Sequence, residues 1–351
     1  MDMRFLLLLR SELKLFLTTV PIHIVVTIQP TVMFLLMSII LVHPTFDMYV
    51  LTPTSPQGRA LVQAMYEVGS PIGEPYINPI LIDDASSEVQ VIRIEERDET
   101  PTAVQSFGLI DSNLVKNLRN RLTAAALNLW NEQMGSGAVT VEEHPWLPRD
   151  VPYPTYFGLA MLPVTIVLST AILGGTLIAQ DFEFKTITEY RLAPVSLALI
   201  LGARLARLVL TGLVGVVLLS AAIGLTTGAW PNRFWLGLLI LLPVGLIAAC
   251  LGTMAGLLLR RTIPSFVVGL TFTFGTWILG SGFGLAAGFG GLYEAISRCI
   301  PNTHAIELLF PQYYGVQVGR SLYSILFLVG ASVMMVGLTA IVYRQRVMRR
   351  E

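Results

Sequence analysis

Charge is scarce in this sequence. Only 13% of its 351 residues are Asp, Glu, Lys or Arg, about half the share of an average soluble domain. The shortage is concentrated in long apolar runs, which excludes an ordinary soluble globule. The charge that remains is balanced, 23 basic against 23 acidic residues, so no basic excess points to nucleic acid. Cysteine is nearly missing: Cys250 lies inside an apolar run and Cys299 in a short polar connection, a placement that suits neither a mutual disulfide nor a metal cluster. The four histidines, His23, His43, His144 and His304, are scattered, with no HExxH spacing. No GxxxxGK[ST] stretch is present, so the chain has no P-loop to hold ATP phosphates. The glycine-dense GSGFGLAAGFGG, Gly280 to Gly291, contains no complete GxGxxG and follows no strand; it reads as close helix packing or a helix break.

What is there is a series of apolar segments. Met1 to Thr19 is amphipathic, with Arg4, Arg10, Glu12 and Lys14 among Leu and Phe at helical spacing. It reads as the flank of the first span or as an interfacial helix, apolar side down and Arg/Lys outward; the apolar run Phe5 to Leu9 is short for a signal peptide, so the segment is read as retained. The spans are Ile22–Val42, Tyr156–Ala179, Leu208–Ala229, Phe234–Leu259, Ile263 to about Leu279, and Leu322–Tyr343. A half-polar lead-in, Leu197 to Arg207, precedes the third; its Arg204 and Arg207, three apart on one helix face, are expected to snorkel to headgroups. His23 is expected at the interface. Trp230 and Trp235 suit the aromatic belt.

Three regions follow: residues 1–43 with the amphipathic helix and first span, residues 44–154 as an insert, and residues 155–351 with spans two to six. The insert regains Pro, Asp, Glu and Ser and has the size of a small domain. Val89–Ile94 alternates as a strand, Asp111–Met134 has helical spacing, and Val139–Val141 fits another short strand, so the insert reads as α+β. Its acidic pairs, Asp83-Asp84, Glu95-Glu96 and Glu142-Glu143, read as a solvated face, since no His lies at ligand spacing. Residues 282–316, broken by Pro301 and Pro311, read as a re-entrant or surface hairpin on the outer side.

Orientation comes from the basic residues. Arg4, Arg10 and Lys14, then Lys185 and Arg191, then Arg260 and Arg261, then Arg344, Arg346, Arg349 and Arg350 all fall on one side if there are six spans. The opposite loops offer mainly Arg233, Arg298 and Arg320. The positive-inside rule then places both termini in the cytoplasm and the insert outside, a topology that suits a bacterial plasma membrane.

One polar stretch, Gln180 to Ser196, interrupts the membrane half on the cytoplasmic side. It reads as a surface helix. Asp and Glu are nearly absent from the span cores, so an ion-coupled pump finds no buried carboxylate cluster. Energy for uphill movement would have to arrive mechanically, through a cytoplasmic contact. Phe182, Phe184 and Ile187 offer apolar anchors; Asp181, Glu183 and Glu189 offer a charged rim. The plainer alternative is that the aromatics dip into the lipid interface.

These features together resemble the permease subunits of ABC-2 type exporters, in particular the drug-exporter-like branch with a large extracellular insert after the first span. In that family the segment between spans two and three carries an acidic pair, Gly-Thr, a further acid and a proline. Here Asp181 and Glu183 match the pair, Thr186 the threonine and Pro194 the proline. Lys185 stands where glycine is usual, Phe182 and Phe184 replace basic residues, and Glu189 lies one position beyond the usual second acid, where Thr188 stands. IPNTHAIELL, Ile300 to Leu309, is similar to the proline-x-threonine-histidine stretch before the last span, with Phe310 where arginine is common; RSELKLF, Arg10 to Phe16, is similar to the basic-Glu-Leu entry helix.

The resemblance implies an all-α polytopic fold of six transmembrane helices, type V exporter-like, with a small α+β extracytoplasmic insert. It implies ATPase coupling by Asp181, Phe182, Glu183, Phe184, Lys185, Thr186, Glu189 and Pro194. ATP and Mg would be bound by a separate ABC ATPase subunit, with no cofactor in this chain. A second permease subunit, identical or homologous, would complete a pathway lined by spans one, two and five, where Gln29, Thr31, Thr165, Thr170, Phe272, Phe274 and Trp277 are candidates. An apolar lining would suit a hydrophobic drug or lipid-like substrate. The outer hairpin would carry Pro301, Thr303, His304 and Glu307. Two other classes compete: a membrane sensor or scaffold whose insert binds a ligand, and a membrane hydrolase using His304 and Glu307, i and i+3 on a short helix, as a dyad.

Overall fold

A computed structural model describes residues 3–18, 20–41, 46–69, 75–83, 90–97, 100–107, 112–134, 153–192, 194–285, 291–315 and 321–348. The chain divides into two compact units, Ile40–Trp146 and the remainder.

The smaller unit begins with β1 (Phe46–Leu51), α3 (Pro56–Glu67) and β2 (Ile77–Ile82), a parallel strand–helix–strand unit. Ser55 starts α3 by accepting a hydrogen bond from the Gly58 amide at 3.0 Å, with Pro56 in the first turn. β3 (Gln90–Arg97) pairs parallel with β1, and β4 (Thr100–Phe107) returns antiparallel beside β3, giving the order β2-β1-β3-β4. α4 (Ser112–Met134) packs against α3. Alternate residues Met48 and Val50 of β1, with Ile77 and Ile92, close a core against Leu61, Met65, Ala125 and Leu129.

The sequence pattern located β3 and α4 and missed β1, β2, β4 and α3. Two of the missed strands contain proline, Pro79 in β2 and Pro101 in β4, and both are edge strands, where the missing N–H costs no ladder bond. Asp83 accepts a hydrogen bond from Thr52 at 2.9 Å; Asp84, Glu142-Glu143 and the Val139–Val141 strand lie outside the described residues.

In the larger unit, α1 (Met3–Thr18), α2 (Val20–Leu41), α5 (Tyr153–Glu183), α7 (Leu197–Thr227), α8 (Phe234–Leu259), α9 (Thr262–Leu279) and α12 (Ser321–Met348) are the long helices; α6 (Ile187–Leu192), α10 (Gly291–Ser297) and α11 (Pro301–Tyr314) are short. Among the described residues six helices, α2, α5, α7, α8, α9 and α12, are long and apolar enough to cross a membrane. The third span has no separate lead-in: Leu197 to Thr227 is one helix, capped by Ser196.

α5 is the hub, buried along its apolar length and packed on α7, α8, α9 and α11. Small residues make its closest contacts. A Cβ on Gly252 of α8 would lie 2.1 Å from the Ala171 carbonyl oxygen, and one on Gly256 would lie 2.4 Å from that of Gly175, so the two backbones touch as membrane helices with small interface residues do. Pro30 leaves the Val26 carbonyl in α2 without its helical donor. The Ser169 hydroxyl of α5 donates to that carbonyl at 3.1 Å.

Of the two forms expected for residues 282–316, re-entrant or surface hairpin, the burial of α11 rules out the surface one. α11 is buried along nearly its whole length, against α5, α8, α9 and α12, and only the shorter α10 is largely exposed.

Candidate coupling site

The polar stretch Gln180–Ser196 is not one helix. α5 continues through Glu183, the chain turns at Phe184–Thr186, and α6 adds six residues before Ser196 starts α7. Lys185 makes the turn with φ 61°, the left-handed region where a side chain is strained and glycine is not. This is the position where the ABC-2 pattern has glycine. The Thr186 and Thr188 hydroxyls brace the turn: Thr186 donates to Asp181 Oδ1 at 3.0 Å and Thr188 to the Lys185 carbonyl at 2.8 Å.

The two acids point to different helices. Asp181 turns inward and accepts from Arg204 Nη1 of α7 at 2.5 Å. Arg204 also reaches Glu12 of α1 at 3.4 Å, donates to the Tyr190 hydroxyl of α6, and lies 4.5 Å from the Tyr190 ring centre. Arg207, one turn further along, donates to Glu12 at 2.9 Å and to Nε2 of His23 at 3.1 Å, so that ring carries its hydrogen on Nδ1. Burial pushes the Tyr190 hydroxyl up to about 12, partly opposed by Arg204, and it stays a neutral donor and acceptor. Neither arginine reaches out to headgroups: Arg207 is 4% exposed, and the His23 ring beside it is buried among the helices. A buried guanidinium needs a carboxylate, and here Glu12 and Asp181 supply it.

Glu183 caps another helix. α9 begins at Thr262 with no side-chain cap of its own. Glu183 Oε1 accepts from the Thr262 amide at 3.0 Å and Oε2 from its hydroxyl at 2.6 Å, placing a carboxylate at the positive end of the α9 dipole. The Phe182 ring lies 5.1 Å under the Arg260 guanidinium. Asp181 and Glu183 are thus internal ties; of the three acids expected on a rim, Glu189 alone is exposed with no side-chain hydrogen bond or ion pair among the described residues.

The anchors also differ from expectation. Ile187 is buried and Phe182 half-buried, whereas Phe184 is 73% exposed. Leu192, which sequence reasoning passed over, is 85% exposed on α6, and Pro194 is exposed beyond it. Behind Phe184 a cavity of about 350 Å³ reaches from Thr186 and Glu189 inward to Gly174 and Thr253.

The pathway candidates separate. Gln29, Phe274 and Trp277 line one small cavity between α2, α5 and α9. Trp277 packs edge-on to Phe157 and Phe274, and tilted against Phe283 at 5.0 Å. Thr165 and Thr170 return their hydroxyls to the Met161 and Ile166 carbonyls at 2.8 and 2.7 Å, and pack against Gly215 and Gly212 of α7. Thr31 and Phe272 are half-buried.

At the far end, Pro301 occupies the first turn of α11, and Thr303 meets Ser297 at 2.7 Å. His304 and Glu307 do not form a dyad. The His304 Nε2–H donates to the Arg298 carbonyl at 2.9 Å, and its Nδ1 lies 3.0 Å from the Ser324 hydroxyl of α12. Ser324 donates to Glu307 at 2.8 Å, and Arg298 pairs with Glu307 at 2.8 Å. No group of three or more potential metal ligands occurs among the described residues. Burial holds His304 below its ordinary 6.5, more strongly than the Glu307 charge raises it. The unfolded chain therefore takes up the proton first, so the stability from this site is present above 6.5 and is lost as pH falls below it. Thermal melts of the solubilised protein should show a midpoint that declines on acidification, and His304→Gln should flatten that decline. An unchanged slope would remove His304 as its source.

The family model described as ABC-2 family transporter protein matches residues 79–343. The chain belongs to that family. The match covers more than half of the 351 residues and takes in α5 to α11, most of α12 and much of the smaller unit. No curated protein and no solved structure matches the chain. Membership makes this ABC-2 protein a multi-pass transporter subunit rather than an enzyme, and implies an ATPase partner.

Proposed function

We propose that this ABC-2 permease is the membrane subunit of an ATP-driven exporter and that residues 180–196 receive the ATPase stroke. The observation that carries the reading is the pair Asp181 and Glu183. Two residues apart, they tie one short segment to α7 and α1 on one side and to the start of α9 on the other. A push on exposed Phe184 and Leu192 would reach helices on both sides through charge-assisted bonds.

Both termini and this segment are cytoplasmic in this reading, the small unit lies outside, and the membrane is a bacterial plasma membrane. A second permease subunit completes the pathway. The aromatic and apolar surroundings of Gln29, Phe274 and Trp277 favour a hydrophobic drug or lipid-like substrate. ATP and Mg are held by the partner. Asp181, Phe182, Glu183, Lys185 and Thr186 shape and tie the segment, while Phe184, Glu189, Leu192 and Pro194 meet the ATPase.

Affinity purification of the tagged permease with a co-expressed ABC ATPase tests this. The pair should co-purify, and Phe184→Ala with Leu192→Ala should reduce recovery on the order of tenfold, the scale of a hot-spot loss, without altering the permease's thermal midpoint. Full recovery with the double variant would place the contact elsewhere.

A further inference from the structure

Two of the long helices pack on different neighbours and leave a space between them. α7 is drawn onto α5, where Gly212 and Gly215 meet Ile166 and Thr165. α12 lies on α8, and its Ser332 hydroxyl sits 3.2 Å from the Pro243 carbonyl and 2.7 Å from that of Leu328. Between α7, α8 and α12 a groove of about 890 Å³ remains, within the roughly 300–1,000 Å³ of ligand sites. Among the described residues that line it, Ser332 alone carries a hydrogen-bonding side chain, and those carbonyls already occupy it. Leu239, Val329 and Val333 line the groove and are exposed, so it opens sideways. All three helices are long and apolar enough to cross a membrane, so hydrocarbon rather than water lies beside the opening.

One end of the groove carries a cation. Leu236 of α8 and Ile325 of α12 line that end. Arg233 stands one turn before Leu236, and its carbonyl accepts the Leu236 amide at 3.1 Å. The Arg233 side chain is exposed, with no hydrogen bond or ion pair among the described residues. The exposed rings of Trp235 and Tyr323 stand at the same end, the residue types that settle at headgroup level. Toward the other end the cations are spent or distant. Arg204 and Arg207 turn inward to carboxylates, and Arg344 of α12 lies about 12 Å along the helix from Val336. We propose that the groove holds a phospholipid of the leaflet facing the α7–α8 turn. An acyl chain runs along α8 from Leu236 toward Leu246, about 15 Å at helical rise, and the phosphate meets Arg233. A helix from a second copy fits less well, because close helix approach uses small residues and this exposed rim is Leu and Val. The groove shares no residue with the cavity of Gln29, Phe274 and Trp277. The lipid is therefore a resident of the fold rather than cargo in that cavity. The assignment stands whichever side of the membrane the turn faces, and whether or not the chain exports.

The test uses the full chain, delipidated in mild detergent and given phosphatidylglycerol with a photoactivatable diazirine at the end of one acyl chain. Diacylglycerol with the same chains serves as the phosphate-free comparison. Irradiation should place the label near Leu246 and Val336. Native mass spectrometry should show one phospholipid retained per chain, and diacylglycerol bound about tenfold more weakly, the worth of one charge-assisted bond. Arg233→Gln should bring phosphatidylglycerol down to the level of diacylglycerol and leave diacylglycerol unchanged. Arg344→Gln should change neither. Leu239→Trp and Val329→Trp, at exposed positions inside the groove, should weaken both lipids alike. Thermal midpoints of the lipid-free variants check that each is folded.

Label spread evenly over the apolar helices, with retention untouched by either Trp variant, overturns the groove as a lipid site. Equal binding of the two lipids, with label still near Leu246, overturns Arg233 as the headgroup contact. Loss of phosphatidylglycerol in Arg344→Gln instead of Arg233→Gln puts the headgroup at the opposite end and overturns the assigned leaflet. Disulfide cross-linking between chains through Val333→Cys in a Cys299→Ser background, Cys250 being buried, with no lipid retained, makes the groove a seam between two copies and removes the lipid.

Discussion

Arg204→Ala is expected to cost about 3–5 kcal/mol of folding stability, the range for removing one partner of a buried ion pair. Three groups depend on that guanidinium: Asp181, Glu12 and the Tyr190 hydroxyl. Without it, Asp181 keeps only the Thr186 hydroxyl and a 3.4 Å contact to Tyr190, and Glu12 keeps Arg207. Arg204→Lys should recover only part of the loss, because an ammonium is a point donor and cannot span carboxylates on two helices as the guanidinium fork does. The triple change Arg204→Met, Asp181→Asn and Glu12→Gln should be more stable than Arg204→Ala alone, since it leaves no unmatched carboxylate at Arg204. Thermal unfolding in one detergent, followed by size-exclusion recovery, measures all of these. A loss below about 0.5 kcal/mol for Arg204→Ala, the scale of a neutral surface change, would mean that the network contributes nothing to the fold.

Glu183→Gln should leave the permease folded and bound to its ATPase yet lower export per ATP hydrolysed. Glu183 is exposed, so its loss strands no buried charge. What it loses is the carboxylate cap on α9: the amide keeps an acceptor for Thr262 but cannot serve the amide and the hydroxyl equally. Coupling between distant sites is commonly worth about 5–150-fold in affinity, and a fall on the order of tenfold in export per ATP is expected. Thr262→Val removes the shorter of the two bonds from the other end and should reproduce the defect. Phe184→Ala should instead reduce ATPase binding itself. Reconstituted vesicles with the ATPase measure both quantities together. Normal export per ATP in Glu183→Gln would break the link from the coupling segment to α9.

The apolar spans were readable because crossing a bilayer demands a length and composition that few other constraints imitate. The termini of α8 and α9 came out within a residue. Partnerships across the chain were not readable. A basic pair three residues apart near a span end has the same pattern whether it reaches for headgroups or for carboxylates. Arg204 is 192 residues from Glu12, and Glu183 is 79 from Thr262. In the same way Asp181, Glu183 and Glu189 looked like one rim, and only their partners in space separate two ties from one exposed charge. Lys185 was legible as a departure from a family pattern, but its physical meaning, a left-handed turn carried by a residue with a Cβ, needed the backbone. The smaller unit was half hidden because its edge strands tolerate prolines that sequence rules treat as breaks.

The glycine contacts between α5 and α8 bear on how such a machine can move. Where Gly252 and Gly256 lie against the carbonyls of Ala171 and Gly175, neither helix can slide along the other without driving a side chain into backbone. The two helices form a fixed fulcrum. α9 is held differently: Ser265 and Gly269 in its first half pack backbone to backbone on α5, while its far end rests on side chains, the rings around Trp277 and the Tyr156 hydroxyl, which donates to the Ser281 carbonyl at 2.7 Å. A force delivered through Glu183 to Thr262 therefore enters α9 on the short side of its tight contact and leaves as a larger swing at the aromatic end. A small displacement at the Thr262 end would become a larger one at the Trp277 end, the gearing of an unequal lever.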